Sequence, residues 1–176
     1  LPFLSILLLL QFTGPFFLIK VLMEIKDKVI VITGAAQGLG KNFAMDLANR
    51  NAKLALADIN MELLEEVRIT CEQSGAETRA YELNVSEEKG VEDFFNQVIQ
   101  DFGTVDGLIN NAGITRDGLI ARSKDGEIRK MSLANWQAVI EVNLTGAFLC
   151  GREFFVKLLE QKKPGVCINI SSLSRS

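Results

Sequence analysis

Histidine is absent from the 176 residues, and the chain holds only one tryptophan, one tyrosine, three prolines and three cysteines. Without an imidazole there is no Ser-His-Asp triad, no Cys₂His₂ finger and no HExxH metalloprotease centre. Cys71, Cys150 and Cys167 are odd in number and form no C-x-x-C pair. They supply neither a disulfide framework nor a structural zinc site, so no metal is expected, and a reducing, cytoplasmic setting fits them best. Basic residues are not in excess: 19 against 22 acidic ones give a formal net charge of -3 and a pI near 5.1. A nucleic-acid partner, which needs a basic face, is not indicated. What is present, 48% hydrophobic and 23% charged residues, suits one globular domain with a core of several strands and helices.

Residues 1–22 stand apart, with Lys20 as their single charge. An uncharged stretch of about 18 residues reaches the threshold for a membrane span. Pro2, Gln11, Thr13, Gly14 and Pro15 interrupt it, and it has neither the basic start nor the small-residue cleavage site of a secretory signal. Met23 precedes a clean globular pattern. We therefore expect a hydrophobic extension over 1–22 that is not part of the native domain, and a domain over 23–176. A membrane anchor is the competing reading.

From Met23 onward, β-rich runs alternate with amphipathic helices. Val29 to Thr33 is a continuous β-branched run, as in a strand buried on both faces. The pattern predicts a helix over Asn42 to Asn51, a second strand over Lys53 to Asp58, and a helix capped by Asn60 that ends at Gly75. A third strand is predicted over Ala80 to Asn84, then a helix capped by Ser86. Val91, Phe94, Phe95, Val98, Ile99 and Phe102 form that helix's apolar stripe. Asp106 to Asn110 reads as strand four, Arg116 to Lys130 as a polar connection, and Leu133 to Gln161 as a long helical region capped by Ser132 and bent near Asn143. Val166 to Ile170 is strand five. Five βα units in series imply a doubly wound parallel sheet, Rossmann-type, of order 3-2-1-4-5, with its ligand crevice beyond the carboxyl ends of strands one and four.

Unusual residues collect at those ends. Thr33 to Gly40, TGAAQGLG, joins strand one to its helix, and glycines there let the backbone approach a pyrophosphate on the helix N-terminus. Any tight strand-to-helix turn also favours glycine. The second matched element is Asp58, which closes strand two 18 residues after Gly40. An acid about 20 residues on is what a ribose 2′-hydroxyl requires.

These motifs resemble the short-chain dehydrogenases/reductases. The likeness rests on Thr33 to Gly40, on Asn110-Asn111-Ala112-Gly113 after strand four, on Asn143 in the helical bend, and on Ile168-Asn169-Ile170-Ser171-Ser172. Asn84-Val85 and Ile114-Thr115-Arg116-Asp117 resemble the branch that holds the 3-oxoacyl carrier-protein reductases. The resemblance implies that Gly34, Ala35, Ala36, Gln37, Gly38, Leu39 and Gly40 bind the cofactor diphosphate and ribose. It implies that Asp58 with Ile59 binds the adenosine ribose, that Asn84 and Val85 flank adenine, and that Asn111, Ala112 and Gly113 line the nicotinamide-side ribose. Asn143 would hold a water of a proton relay, and Ser172 would hydrogen-bond the substrate carbonyl or hydroxyl. Read as residues alone, Asn143 also suits a helix bend and Ser172 a strand-end turn.

The implied activity is hydride transfer between NAD(H), rather than NADP(H), and a carbonyl/alcohol substrate, with a 3-oxoacyl thioester as one candidate. A dinucleotide-binding module without catalysis and a membrane-anchored reductase are the alternatives. The family's proton donor is a tyrosine in a Tyr-x-x-x-Lys motif following the serine. Within these 176 residues the only tyrosine is Tyr81, and position 85 is valine. We therefore expect an amino-terminal fragment, incomplete beyond strand five and inactive by itself. The resemblance further implies a homo-oligomer whose neighbouring subunit covers the helix from Thr145 to Gln161, including Phe148, Phe155 and Leu159.

Overall fold

Val29–Thr33 is buried along its whole length, and its alternate side chains serve two separate cores. Val29 and Val31 point into one with Ala55, Ala57, Phe95 and Phe154, whereas Ile30 and Ile32 point into the other with Leu54, Leu56, Leu64 and Val67. The period-two geometry of a strand makes a continuous apolar run necessary when helices cover both faces. The computed structural model of the protein describes residues 4–10, 17–116, 119–124 and 127–171. Ser172 lies outside the described residues.

In chain order the elements are β1 (Leu4–Leu10), β2 (Phe17–Met23), β3 (Val29–Thr33), α1 (Gly38–Ala48), β4 (Lys53–Asp58), α2 (Met61–Gln73), β5 (Thr78–Glu82), α3 (Glu88–Phe102), β6 (Gly107–Asn110), β7 (Ala121–Lys124), β8 (Glu127–Lys130), α4 (Leu133–Ile140), a π-helical turn (Glu141–Gly146), α5 (Ala147–Gln161) and β9 (Val166–Asn169). Five strands form one parallel sheet, β5-β4-β3-β6-β9, which is the expected order 3-2-1-4-5. Helices α1 and α2 contribute Ala44, Leu47, Leu64 and Val67 to one face; α3 and α5 contribute Phe95, Val98, Phe154 and Leu158 to the other.

Several local readings are corrected. The first helix starts at Gly38, inside the glycine loop, and ends at Ala48. The third strand lies two residues earlier than predicted, at Thr78–Glu82. Ser86 does not cap α3; its amide and hydroxyl both donate to Asn84 Oδ1, so the N-cap position passes to Glu87. The polar connection is not all loop, because β7 and β8 pair antiparallel within it. Residues 4–10 and 17–23 likewise pair as an antiparallel hairpin, a two-stranded sheet of its own. Among the described residues no helix is long and apolar enough to cross a membrane. Asn60 and Ser132 cap their helices as expected, accepting from the amides of Leu63 and Asn135. The bend near Asn143 is a π-helical turn, a form that recurs at functional sites. Phe148, Phe155 and Leu159 are exposed along α5.

Glycine is needed where backbones meet. A β-carbon on Gly40 would overlap the carbonyl oxygen of Gly34, and one on Gly34, whose φ is +66°, would stand 2.8 Å from the α-carbon of Ala112. Helix, glycine loop and the segment after β6 are thus in direct contact. Gly40→Ala should lower the unfolding free energy by about 1–3 kcal/mol in a urea titration, because rigid backbone must move. Gly90 is the control. A β-carbon there meets only ordinary contact 3.6 Å from Glu87 Cβ, so Gly90→Ala in α3 should be neutral or stabilising by up to about 1 kcal/mol.

Candidate active site

The last residue of β3, Thr33, is a buried polar group, and its hydroxyl organises the strand ends. Thr33 Oγ1 accepts from the amides of Asn111 and Ala112, both at 3.1 Å, and lies 3.5 Å from the carbonyl oxygen of Ile109. Asn111 answers by donating its side-chain amide to the carbonyls of Thr33 (3.2 Å) and Gly34 (3.0 Å). Four hydrogen bonds therefore hold the chain leaving β6 against the glycine loop. Thr33→Val keeps the shape but strands two amides without an acceptor. We expect a loss of about 1–3 kcal/mol in urea unfolding, with weaker cofactor binding on the same samples.

The loop itself presents backbone to a ligand. Gln37 occupies the N-cap of α1 with no side-chain cap, and the first turn contains no acid. The leading amides of this helix are therefore open to an anion, and the macrodipole favours one there. Gly38, at φ +56°, has nothing within 4 Å of its β-carbon position. Its surface is bare backbone, as a diphosphate requires.

Asp58, at the end of β4, is anchored at both oxygens: the amide of Ala36 donates to one at 3.0 Å, and the amide of Asn60 to the other at 3.0 Å. A carboxylate offers about four acceptor sites. Two remain for a ligand, and the two backbone bonds aim them. A carboxylate is thus held against the glycine loop where β3 and β4 end.

These parts share one cleft of about 400 Å³. Gly34, Gln37, Asp58, Ile59, Asn84, Val85, Asn111, Ala112 and Gly113 all line it, so most of the predicted cofactor residues converge. Ala35, Ala36, Gly38, Leu39 and Gly40 do not line it: Ala35, Ala36 and Gly40 are buried, whereas Gly38 and Leu39 are exposed at the start of α1. Asn60, Leu83, Ile114 and Val142 line the cleft as well, and the sequence reading did not select them. Asn60 adjoins Ile59, and Ile114 opens the Ile114-Thr115-Arg116-Asp117 run, so proximity along the chain is the available signal. The cradle of bare glycine backbone, open helix amides and an oriented carboxylate fits a dinucleotide's diphosphate and ribose.

Asn143 does not line this cleft but holds Ile114, which does. Its Oδ1 accepts from the amide of Ile114 at 2.8 Å, and its Nδ2 donates to the carbonyl of the same residue at 2.9 Å. The side chain staples the π-turn to the cleft wall. Gly146, at the end of that turn, packs so closely on Val85 that a β-carbon would stand 2.6 Å from Val85 Cγ2. Asn110 is buried and donates to the carbonyl of Ala147 (3.1 Å) and to Asn169 Oδ1 (2.9 Å). It joins β6, α5 and β9, three residues before Ser172. Tyr81 is remote in role: its phenol donates to Asp101 at 2.8 Å, and burial, followed by that carboxylate, pushes its pKa above the ordinary tyrosine range.

Comparison with known proteins matches this arrangement. A family model described as short chain dehydrogenase covers residues 28–175. The 3-oxoacyl-[acyl-carrier-protein] reductase FabG of Thermotoga maritima is 34% identical over 151 residues, spanning 86% of this chain and 58% of that protein. The uncharacterized oxidoreductase YxbG of Bacillus subtilis is 34% identical over 151 residues, 86% of this chain and 52% of that one. Among solved structures, a short chain dehydrogenase/reductase from Burkholderia phymatum in complex with NAD superposes with a TM-score of 0.75 at 32% identity, covering 87% of this chain and 53% of the other. An NAD⁺-bound xylitol dehydrogenase gives 0.74 at 31% identity, covering 85% and 55%. The chain spans little more than half the length of these relatives.

Proposed function

The chain belongs to the short chain dehydrogenase family, and from that premise we propose that the whole protein is an oxidoreductase transferring hydride between NAD(H) and a carbonyl/alcohol pair. The observation that carries this reading is that Gly34, the uncapped N-cap residue Gln37 of α1 and the doubly anchored Asp58 carboxylate line one cleft. Bound there, the nicotinamide would supply or receive the hydride. The protein's own residues do the rest. The α1 amides and Gly34 to Gly40 take the diphosphate, Asp58 and Ile59 the adenosine ribose, Asn84 and Val85 the adenine edge. Asn111, Ala112 and Gly113 form the wall at the nicotinamide-side ribose, held by Thr33. Asn143 fixes Ile114 and the π-turn beside it, and Ser172 would meet the substrate oxygen.

Substrate choice within the carbonyl class follows only the 34% identity to a 3-oxoacyl reductase, so a 3-oxoacyl thioester is the first compound to assay. A homo-oligomer, dimer or tetramer, would bury Phe148, Phe155 and Leu159, which α5 exposes, and a cytoplasmic setting suits the free cysteines. Following NADH absorbance with a panel of ketones and 3-oxoacyl thioesters tests the proposal on the whole protein. Saturable, substrate-dependent oxidation is expected. Tight NADH binding with no turnover on any carbonyl would favour a non-catalytic binding module instead.

A further inference from the structure

The π-helical turn touches both loops that wall the dinucleotide cleft, and Val142, inside the turn, lines the cleft itself. Asn143 makes its two hydrogen bonds to Ile114, in the loop after β6. Gly146, the last residue of the turn, is buried against Val85, in the loop after β5. A β-carbon on Gly146 would lie 2.6 Å from Val85 Cγ2, 3.0 Å from Val85 Cβ and 3.2 Å from the Val85 carbonyl oxygen. Carbon atoms in contact sit about 3.5–4.0 Å apart. Any side chain at this position must therefore push the loop and the turn away from each other. The loop has little freedom to yield. Val85 is itself buried, and its β-branched side chain is stiff at χ1. Beside it, Asn84 Oδ1 accepts from the amide (3.2 Å) and hydroxyl (2.7 Å) of Ser86, and Asn84 Nδ2 donates to Glu87 Oε1 at 2.9 Å.

We propose that Gly146 is a positioning residue: its bare backbone sets the separation between the Val85 loop and the Ile114 loop, and so keeps the adenine seat and the nicotinamide-side seat in register for one dinucleotide. The inference rests on the hydride-transfer reading, which supplies the two seats. A dinucleotide is a two-headed ligand. Its second half binds at the effective concentration set by its link to the first, and that gain is lost when both seats cannot be engaged together. An error of spacing thus costs the whole ligand more than either half. A defect confined to the adenine seat would weaken the adenine half and the whole dinucleotide equally.

The test is a titration of the whole protein with NADH, AMP and reduced nicotinamide mononucleotide, by calorimetry for the first and ligand-observed NMR for the two weak halves. Wild type, Gly146→Ala, Val85→Ala and the double variant are compared, with a thermal melt on each sample. Forcing a methyl group into a packed contact costs about 1–3 kcal/mol, so Gly146→Ala should weaken NADH by about 5- to 150-fold. AMP and the mononucleotide should each stay within about twofold of wild type. Val85→Ala removes the atom at 2.6 Å, so in that background the NADH loss caused by Gly146→Ala should be several-fold smaller, while still exceeding the loss of either half. If Gly146→Ala alone does not fold, this second background carries the same comparison. AMP weakened as much as NADH would overturn the proposal, because residue 146 would then shape one seat only. A loss of the same size in both backgrounds would also overturn it, since the effect would not pass through Val85. Unchanged NADH affinity in folded Gly146→Ala overturns the spacing role alone and leaves the hydride-transfer reading standing. A wild-type protein that binds no NADH overturns both.

Discussion

The purified 176-residue chain should bind NADH yet show no carbonyl reduction above a no-protein control. Protonation of the nascent alkoxide needs a group within hydrogen-bond reach whose pKa is tuned toward neutrality, and that contribution is worth about 10²–10⁴ in rate. No histidine exists to provide it. Tyr81, the one phenol, lies on the edge strand β5, is committed to Asp101 and is pushed in the wrong direction by burial. A lysine beside a tyrosine would lower the phenol pKa, but four residues on stands Val85, buried against the π-turn. Substrate-dependent NADH oxidation by this chain, abolished on heat denaturation, would contradict the expectation.

The second large effect concerns the 2′ position of the adenosine ribose. We expect NADH to bind more tightly than NADPH by about 5- to 1000-fold. This corresponds to placing a phosphate about 4 Å from Asp58, at about 1–4 kcal/mol between water-like and surface-like dielectrics. Gln37 in the loop offers no compensating charge. Asp58→Asn keeps an oxygen to accept from one of the anchoring amides while removing the charge, so NADPH affinity should rise and the ratio should narrow. Parallel titrations of the two cofactors against both proteins give the answer. Tighter NADPH binding by the unaltered chain would mean that the carboxylate does not face the 2′ position.

Much of this was legible from residue types. β3 and β4 were read at their observed bounds because each is a nearly continuous apolar run, the pattern that helices on both faces demand. β5 was misplaced by two residues for the complementary reason: an edge strand with the sequence TRAYE has little apolar periodicity to mark it. The β7–β8 pair carries little mark in the sequence, because Ala-Arg-Ser-Lys and Glu-Ile-Arg-Lys lack alternation. In the site, the glycine-rich turn from Gly34 to Gly40 and Asp58 stand out by their spacing, because they are near one another in sequence. Contacts between distant residues could not. Asn143 finds Ile114 across 29 positions, Thr33 finds Asn111 across 78, and Asn110 finds Asn169 across 59. Each is a short polar side chain at the end of a strand or in a helix irregularity, and only the fold selects its partner.

The measurement that bears most directly on the dinucleotide cleft is amide hydrogen exchange on the 176-residue chain with and without saturating NADH. Protection should appear at Gly38 to Gly40, where the open α1 amides would meet the diphosphate, and at Val85 and Asn111 to Gly113, with residues 127–139 unchanged. Binding without protection at the glycine loop, or protection confined to residues outside the dinucleotide cleft, would contradict the assignment.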